Sequence, residues 1–290
     1  MPIPLSDSQL CIRRMTRADV PSAWKLTVQA GWNQLPADWL RMLELEPDGC
    51  LVAEVEGSLV GTTVCCIFEE IAWLALVLVE TAFRERGIGR RLVAAGLEYA
   101  DGKGVRTVRL DATPLGRPVY ARLGFQPQFE LSRWGGIPNG SAAKSSVSRD
   151  VVETSDRVDF ELLFALDQQA TSTPRKKLLQ RLFAESPPLI AKRTTGSVVS
   201  FLTRRRGRLA TQIGPAIGAS DDCQWLLCHE LETQRGQPVI IDIPVDRREL
   251  DTVAQQAGLT VQRSLLRMYR GEAITENPEL FQISSGGELG

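Results

Sequence analysis

At 290 residues the chain has room for two domains of about 150 residues each, so neither disulfides nor metals are needed to complete a core. Hydrophobic residues at 43%, charged residues at 24% and 34 Lys+Arg against 35 Asp+Glu describe an ordinary globular composition, and a net charge of -1 argues against duplex nucleic acid as the main partner. The 6 cysteines form no CxxC pair and His229 is the single histidine, which argues against a zinc ribbon, excludes a two-histidine metal site within the chain and leaves a Ser-His-Asp hydrolase only one imidazole.

The opening residues lack a basic segment followed by an apolar core, so no signal peptide is expected. Residues 10–15 predict a short strand, and 17–46 two helical stretches interrupted at 31–36. After the turn Pro47-Asp48-Gly49, residues 51–55 and 59–68 predict strands joined at Glu56-Gly57. Glu69-Glu70 turns into residues 71–79, the longest apolar run. A membrane helix needs about 20 residues, so this run is expected to be a strand buried on both faces; cysteines without a CxxC pair fit reduced thiols and a cytoplasmic location.

A helix is predicted over 88–101 with Ile88, Leu92, Ala95, Gly96 and Tyr99 on one face, stopped by Gly102. A strand at 105–110, a short helix at 118–123 and a last strand at 125–131 complete a mixed α/β unit over 1–134. Residues 135–158 read as a linker, being rich in Gly and Ser and poor in apolar side chains. A second alternating segment covers 159–271: strands at 189–192, 198–203, 209–213, 239–243 and 260–268, helices at 220–233 and 246–256. Residues 272–290 read as a loosely held tail.

The informative stretch is VLVETAFRERGIGRRLV, residues 77–93. A buried strand leaves its sheet and Gly87-Ile88-Gly89 opens a helix, so backbone N–H groups and the positive helix end converge on an anion site. Gly87 and Gly89 let a bulky anion approach, and Arg84, Arg86, Arg90 and Arg91 surround it with charge, a combination suited to a pyrophosphate. Helix-capping glycines, a solvated arginine face and a dinucleotide site compete with this reading. The last of these lacks its third glycine, and antiparallel hairpins precede the strand.

Arg84-Glu85-Arg86-Gly87-Ile88-Gly89 resembles the acyl-coenzyme A pyrophosphate loop of the GNAT acetyltransferase superfamily, Gln/Arg-x-x-Gly-x-Gly/Ala. Tyr120-Ala-Arg-Leu-Gly124-Phe125 resembles the Tyr-x-x-x-Gly-Phe signature of the same family, in register, and the likeness covers residues 10–134. It implies an α/β (α+β) fold of two tandem GNAT-like domains, each a mixed, mainly antiparallel sheet flanked by helices. It also implies acetyl-CoA as acyl donor, bound by Leu78, Val79, Arg84, Glu85, Arg86, Gly87, Ile88, Gly89 and Arg90. The strand ending at Leu78-Val79 would splay from its neighbour and bond the pantetheine arm like an added strand, with an N–H near Leu78 or Val79 stabilising the oxyanion.

The resemblance nominates Tyr120 as proton donor to the departing thiolate, against a reading as a packing tyrosine. Trp73 stands where some members carry a glutamate base. Glu69, Glu70 and Asp111 are the remaining carboxylate candidates, each also readable as a turn or surface group, and water can take the proton instead. Trp32, Asn33 and Trp73 are candidates for the acceptor side, with Trp39 as a further apolar wall. Anchoring of the helices by Trp32 and Trp39 is the competing reading. Cys65 and Cys66 read as packing residues, because no histidine in this half is present to form a thiolate.

In the second half, Gly214-Pro215 and Met268-Tyr269-Arg270-Gly271 resemble two-domain members of the superfamily. Its chemistry reads as eroded: the stretch GPAIGASDD from Gly214 to Asp222 contains no arginine, Asp221 and Asp222 stand where a pyrophosphate would sit, and Ala254 stands at the tyrosine position. His229 reads as a surface or packing residue. One site is therefore expected, in the first half, with the second half as a pocket wall or stability partner. The function implied is an N-acetyltransferase moving acetyl from acetyl-CoA to a primary amine of a small molecule or peptide by direct attack, without metal, nucleic acid or membrane. The alternative is a non-catalytic acyl-CoA-binding sensor or regulatory module. An aminoacyl-tRNA donor is opposed by the near-neutral charge.

Overall fold

The computed structural model describes residues 9–140, 150–153, 159–192 and 198–290. The first half runs β1 (Cys11–Arg14), α1 (Val20–Gln29), α2 (Pro36–Leu45), β2 (Cys50–Val55), β3 (Ser58–Phe68), β4 (Ile71–Val79), α3 (Ile88–Gly102), β5 (Thr107–Ala112), α4 (Arg117–Arg122) and β6 (Gln126–Gly136). The second runs β7 (Asp150–Glu153), α5 (Phe160–Thr171), α6 (Lys176–Glu185), β8 (Leu189–Lys192), β9 (Val198–Arg205), β10 (Thr211–Gly218), α7 (Ser220–Thr233), β11 (Val239–Pro244), α8 (Arg248–Gln256), β12 (Thr260–Gly271) and β13 (Phe281–Ile283).

One sheet of 13 strands carries both halves, in the order β1-β2-β3-β4-β5-β12-β6-β11-β10-β9-β8-β7, with β13 paired to β10. All pairs are antiparallel except β4 with β5 and β10 with β11, which are linked through the crossover helices α3 and α7. The halves exchange their final strands. β12 covers the open edge of β5 from Leu266↔Ala112 to Gly271↔Thr107, and β6 covers β11 from Val239↔Gly136 to Pro244↔Leu131. The cores interlock accordingly: Met268 of β12 packs with Val108, Leu110 and Phe125, and Trp134 of β6 with Val239 and Leu259. Each such buried side chain contributes about 1.5–3 kcal/mol, so neither half keeps a complete core without the other.

This exchange explains where the structure departs from the sequence reading. The last strand of the first half does not stop at residue 131 but runs to Gly136, because its C-terminal residues pair with both β11 and β12. The expected linker at 135–158 therefore begins as strand, and residues 150–153 form β7; residues 141–149 and 154–158 lie outside the described residues. The tail is not loose. Phe281, Ile283, Ser284, Ser285, Glu288 and Leu289 are all buried. The inner face of α3 is also rotated from the expected one, burying Leu92, Val93, Gly96, Leu97 and Ala100 and leaving Ala95 and Tyr99 half-buried. Gly96 is what admits this packing, since a Cβ there would fall 2.7 Å from Leu74 Cδ1.

Candidate active site

The site is built at the centre of the first half, where β4 meets β5. Nine apolar residues buried on both faces make β4 a central strand, as its composition demands. Its parallel register with β5 covers only Ile71↔Thr107, Ala72↔Val108 and Trp73↔Arg109. Beyond Trp73 the two strands diverge, leaving the β5-facing edge of residues 74–79 without a strand partner, Leu78 and Val79 among them. A bulge lies in the same stretch. Thr62 pairs with Leu78 and Val64 with Ala75, so β4 holds one residue more than β3, and Leu76 takes a φ of 51°.

β4 delivers the chain into the loop that the sequence singled out. Glu85 and Gly87 have φ of 62° and 82°, alternating with right-handed or extended residues to form a concave nest of N–H groups. Among the described residues, no acceptor takes the N–H groups of Glu85, Arg86, Gly87, Ile88, Gly89 or Arg90; the first amide of α3 to find one is Arg91, bonded to Gly87 O at 3.1 Å. Six successive donors thus point outward at the positive end of a 15-residue helix, an arrangement suited to an anion. A Cβ on Gly89 would touch only Val79, at 3.7 Å, so protein packing alone does not require glycine there; the space lies on the open side.

Arg84 is exposed, with Nε donating to Val79 O at 3.1 Å, and Arg90 is exposed as well. The guanidinium of Arg86 lies 5.4 Å from the Phe83 ring centroid, and its buried Nε has no hydrogen-bond partner among the described residues.

Tyr120, on α4, packs edge-on against Phe125 at 5.8 Å. Its hydroxyl makes no hydrogen bond to a described residue, and burial pushes the phenol above its ordinary range. The group therefore stays protonated and keeps its donor available.

The carboxylate candidates fare differently. Glu69 and Glu70 occupy the turn before β4, exposed, with Glu70 paired to Arg106 at 2.9 Å. At about 3.3 Å per residue they lie roughly 30 Å from Val79, so the geometry removes both as bases at this cleft. Asp111 is close but committed: Arg267 donates to its two oxygens at 2.8 and 2.9 Å, and burial raises the carboxyl above its usual range against the pull of that guanidinium.

The acceptor-side candidates are structural in their contacts. Trp39 is fully buried and donates to Thr27 Oγ1 at 3.2 Å, which makes it the anchor of α2 on α1. Asn33 spends its amide on the turn after β9. Its Oδ1 accepts from Leu209 N and Ala210 N, and its Nδ2 donates to Ala210 O. Trp32 is half-buried beside it, its carbonyl accepting from Arg208. Trp73 is 4% exposed, stacked on Arg267 at 4.8 Å, and donates to Gly287 O at 3.3 Å. Thr62, Leu76 and Gly287 were not singled out by sequence. A leucine at positive φ and a glycine 214 residues from its partner leave no local signal.

Cys65 and Cys66 are buried packing residues, and burial pushes the Cys66 thiol up to about 12, far from a nucleophilic thiolate. His229 is exposed and stacks on Trp225 at 6.1 Å. No group of three or more His, Cys, Asp or Glu side chains suited to a metal occurs among the described residues, and no described helix is long and apolar enough to cross a membrane.

The second half repeats this strand arrangement with two changes. β10 and β11 also pair in parallel over three residues, Thr211↔Val239 to Ile213↔Ile241, before Gly214 and cis-Pro215. The gap beyond is filled from within the chain: β13 pairs with β10 through Ala216↔Ile283 and Ile217↔Phe281, and Ser284 N reaches Asp242 O at 3.0 Å. Where the first half opens α3 with glycine and arginine, α7 opens with Asp221 and Asp222.

A divergent parallel strand pair recurs in both halves of one sheet, and the nest stands at the helix start of the first. Family models cover both halves: "Acetyltransferase (GNAT) family" matches residues 17–125 and "Acetyltransferase (GNAT) domain" matches 163–281. The chain belongs to the GNAT superfamily, and is in particular a two-domain member of it. The uncharacterized N-acetyltransferase YitH of Bacillus subtilis (strain 168) is 25% identical over 264 residues, spanning 90% of this chain and 92% of the relative. A proposed acetyltransferase from Pyrococcus horikoshii superposes with a TM-score of 0.83 at 21% identity, covering 99% of this chain and 98% of that one. A tandem GNAT protein from the clavulanic acid biosynthesis pathway gives 0.65 at 14% identity, covering 92% and 100%. At these identities the two structures speak to the fold.

Proposed function

We propose that the first half transfers an acetyl group from acetyl-CoA to a primary amine of a small molecule or peptide. The observation that carries this reading is the run of six amides from Glu85 to Arg90 without an acceptor among the described residues, backed by Arg84, Arg86 and Arg90, which matches the demand of a pyrophosphate. The unpaired edge of residues 74–79 suits the amide-bearing pantetheine arm, and an N–H at Leu78 or Val79 would face the thioester oxygen. The amine attacks the carbonyl carbon, the C–S bond breaks, and Tyr120, which burial keeps protonated, passes its proton to the departing thiolate and is reprotonated through water by the proton that the attacking amine releases. With Glu69 and Glu70 distant and Asp111 tied to Arg267, the amine's own proton leaves to water.

A single site per chain follows from the same comparison of halves, because β13 and the acidic start of α7 occupy the corresponding gap. The second half then serves as a wall: its turn after β9 is the element that Asn33 holds against the α1–α2 connection.

A non-catalytic acyl-CoA sensor is the second reading, favoured by one observation: Trp73 is covered by the segment around Gly287 instead of facing an open acceptor pocket. Calorimetry with CoA and acetyl-CoA, followed by thiol release with a panel of amines, tests both. Uptake with steady release supports the transferase, uptake without release supports the sensor, and no uptake overturns both.

A further inference from the structure

We propose that Thr62 is a positioning residue for the coenzyme cleft, its hydroxyl holding open the edge of β4; this deepens the acetyl-CoA reading and rests on it. The bulge in β4 leaves Leu76 at a φ of 51°, a region that branched L side chains sparsely populate and hold only when surroundings fix them. Leu76 and Val77 accordingly have no register partner on β3. Thr62 Oγ1 donates to the Leu76 carbonyl at 2.8 Å, and Thr62 is 0% exposed, so no solvent molecule stands ready to replace the bond.

The placement matters because of what lies on either side. The last pair between β4 and β5 is Trp73↔Arg109, and the bulge follows three residues later, so the bend occurs where the strands part. The extra residue also sets which backbone groups of residues 77–79 face the gap, since one residue of slip reverses every group along a strand. Opposite Leu78 the packing is tight. A Cβ on Gly61 would fall 2.9 Å from Leu78 O, so β3 approaches this end of β4 too closely to carry a side chain there. Thr62 thus fixes the bend and the phase of the edge on which pantetheine would lie, without touching the coenzyme.

The test separates the two ends of the coenzyme. Calorimetry compares acetyl-CoA with adenosine 3′,5′-bisphosphate, which lacks the pantetheine arm, on wild type, Thr62→Val and Thr62→Ser. Thr62→Val is expected to weaken acetyl-CoA about tenfold, the equivalent of one buried hydrogen bond, while the nucleotide binds unchanged. Thr62→Ser is expected to restore wild-type affinity. Equal affinity of Thr62→Val and wild type for acetyl-CoA overturns the proposal, as does an equal loss for both ligands, which would mark a general defect. If Thr62→Val does not fold, Thr62→Cys, with a weak donor of similar size, takes its place under the same expectations. A wild-type protein that binds neither ligand overturns the coenzyme reading itself, an outcome distinct from the others.

Discussion

Trp73 and Gly287 are joined by a hydrogen bond of 3.3 Å from the indole Nε1 to the backbone carbonyl, across 214 residues of sequence. The bond seats residues near the end of the described chain against the last pair of β4 and β5, so the segment after β13 is a wall of the first half's cleft. Leu289 anchors it, 3% exposed within the core that contains Trp73, Leu76 and Leu78. Arg175, itself paired with Asp167 at 2.8 Å, adds a bond to Ser285 Oγ at 2.9 Å.

Leu289→Ala is therefore expected to destabilise the protein by about 2–4 kcal/mol and to redden the tryptophan emission as Trp73 gains solvent. Thermal melts and fluorescence check this; an unchanged midpoint would show that the segment does not support the core.

Replacing both Arg84 and Arg86 by glutamate is expected to weaken CoA binding more than tenfold, because two charges reverse beside the unpaired amides. The melting midpoint should stay within a degree or two, since Arg84 is exposed and Arg86 half-exposed. Titrations at two salt concentrations should show the wild-type affinity falling with salt.

Tyr120→Phe leaves the packing against Phe125 intact and removes only a hydroxyl without a described protein partner. Acetyl-CoA affinity should hold within about twofold while the rate of thiol release with a responsive amine drops about 100-fold or more. Because burial raises the phenol, the wild-type rate should show no alkaline loss near pH 10 attributable to this group. Equal rates for the two proteins would return Tyr120 to a packing role.

Calorimetric stoichiometry should be one coenzyme per chain, given that β13 fills the gap between β10 and β11. Two sites would mean that β13 leaves its place in solution.

Arg13 donates to both oxygens of Asp19 at 2.8 Å and holds that carboxyl well below the usual carboxylate range. A depressed folded-state value stabilises the protein fully above the unfolded value of about 4, and the contribution is lost as pH falls below it. Partial exposure limits this contribution to about 0.5–1 kcal/mol. Asp19→Asn should thus lower the melting midpoint at pH 6 and lower it by less at pH 2, narrowing the acid-induced drop. Parallel wild-type and variant profiles would argue against the pair.

The sequence determined whatever rests on local pattern. The apolar run of β4 announced a central strand because only a strand buried on both faces tolerates nine such residues, and Gly87-Ile88-Gly89 announced the turn that opens α3 because glycine admits the φ of 82° found at Gly87. Tertiary structure alone decided what depends on residues far apart in the chain. That Met268 belongs to the core under α3, that the glycine-rich end of β6 is strand, that Asp111 is spent on Arg267 and that β13 plugs the second gap are all matters of strand pairing at long range. No local propensity encodes them. Each half presents a strand edge, and which segment comes to cover it is settled by the burial and hydrogen bonding of the whole sheet.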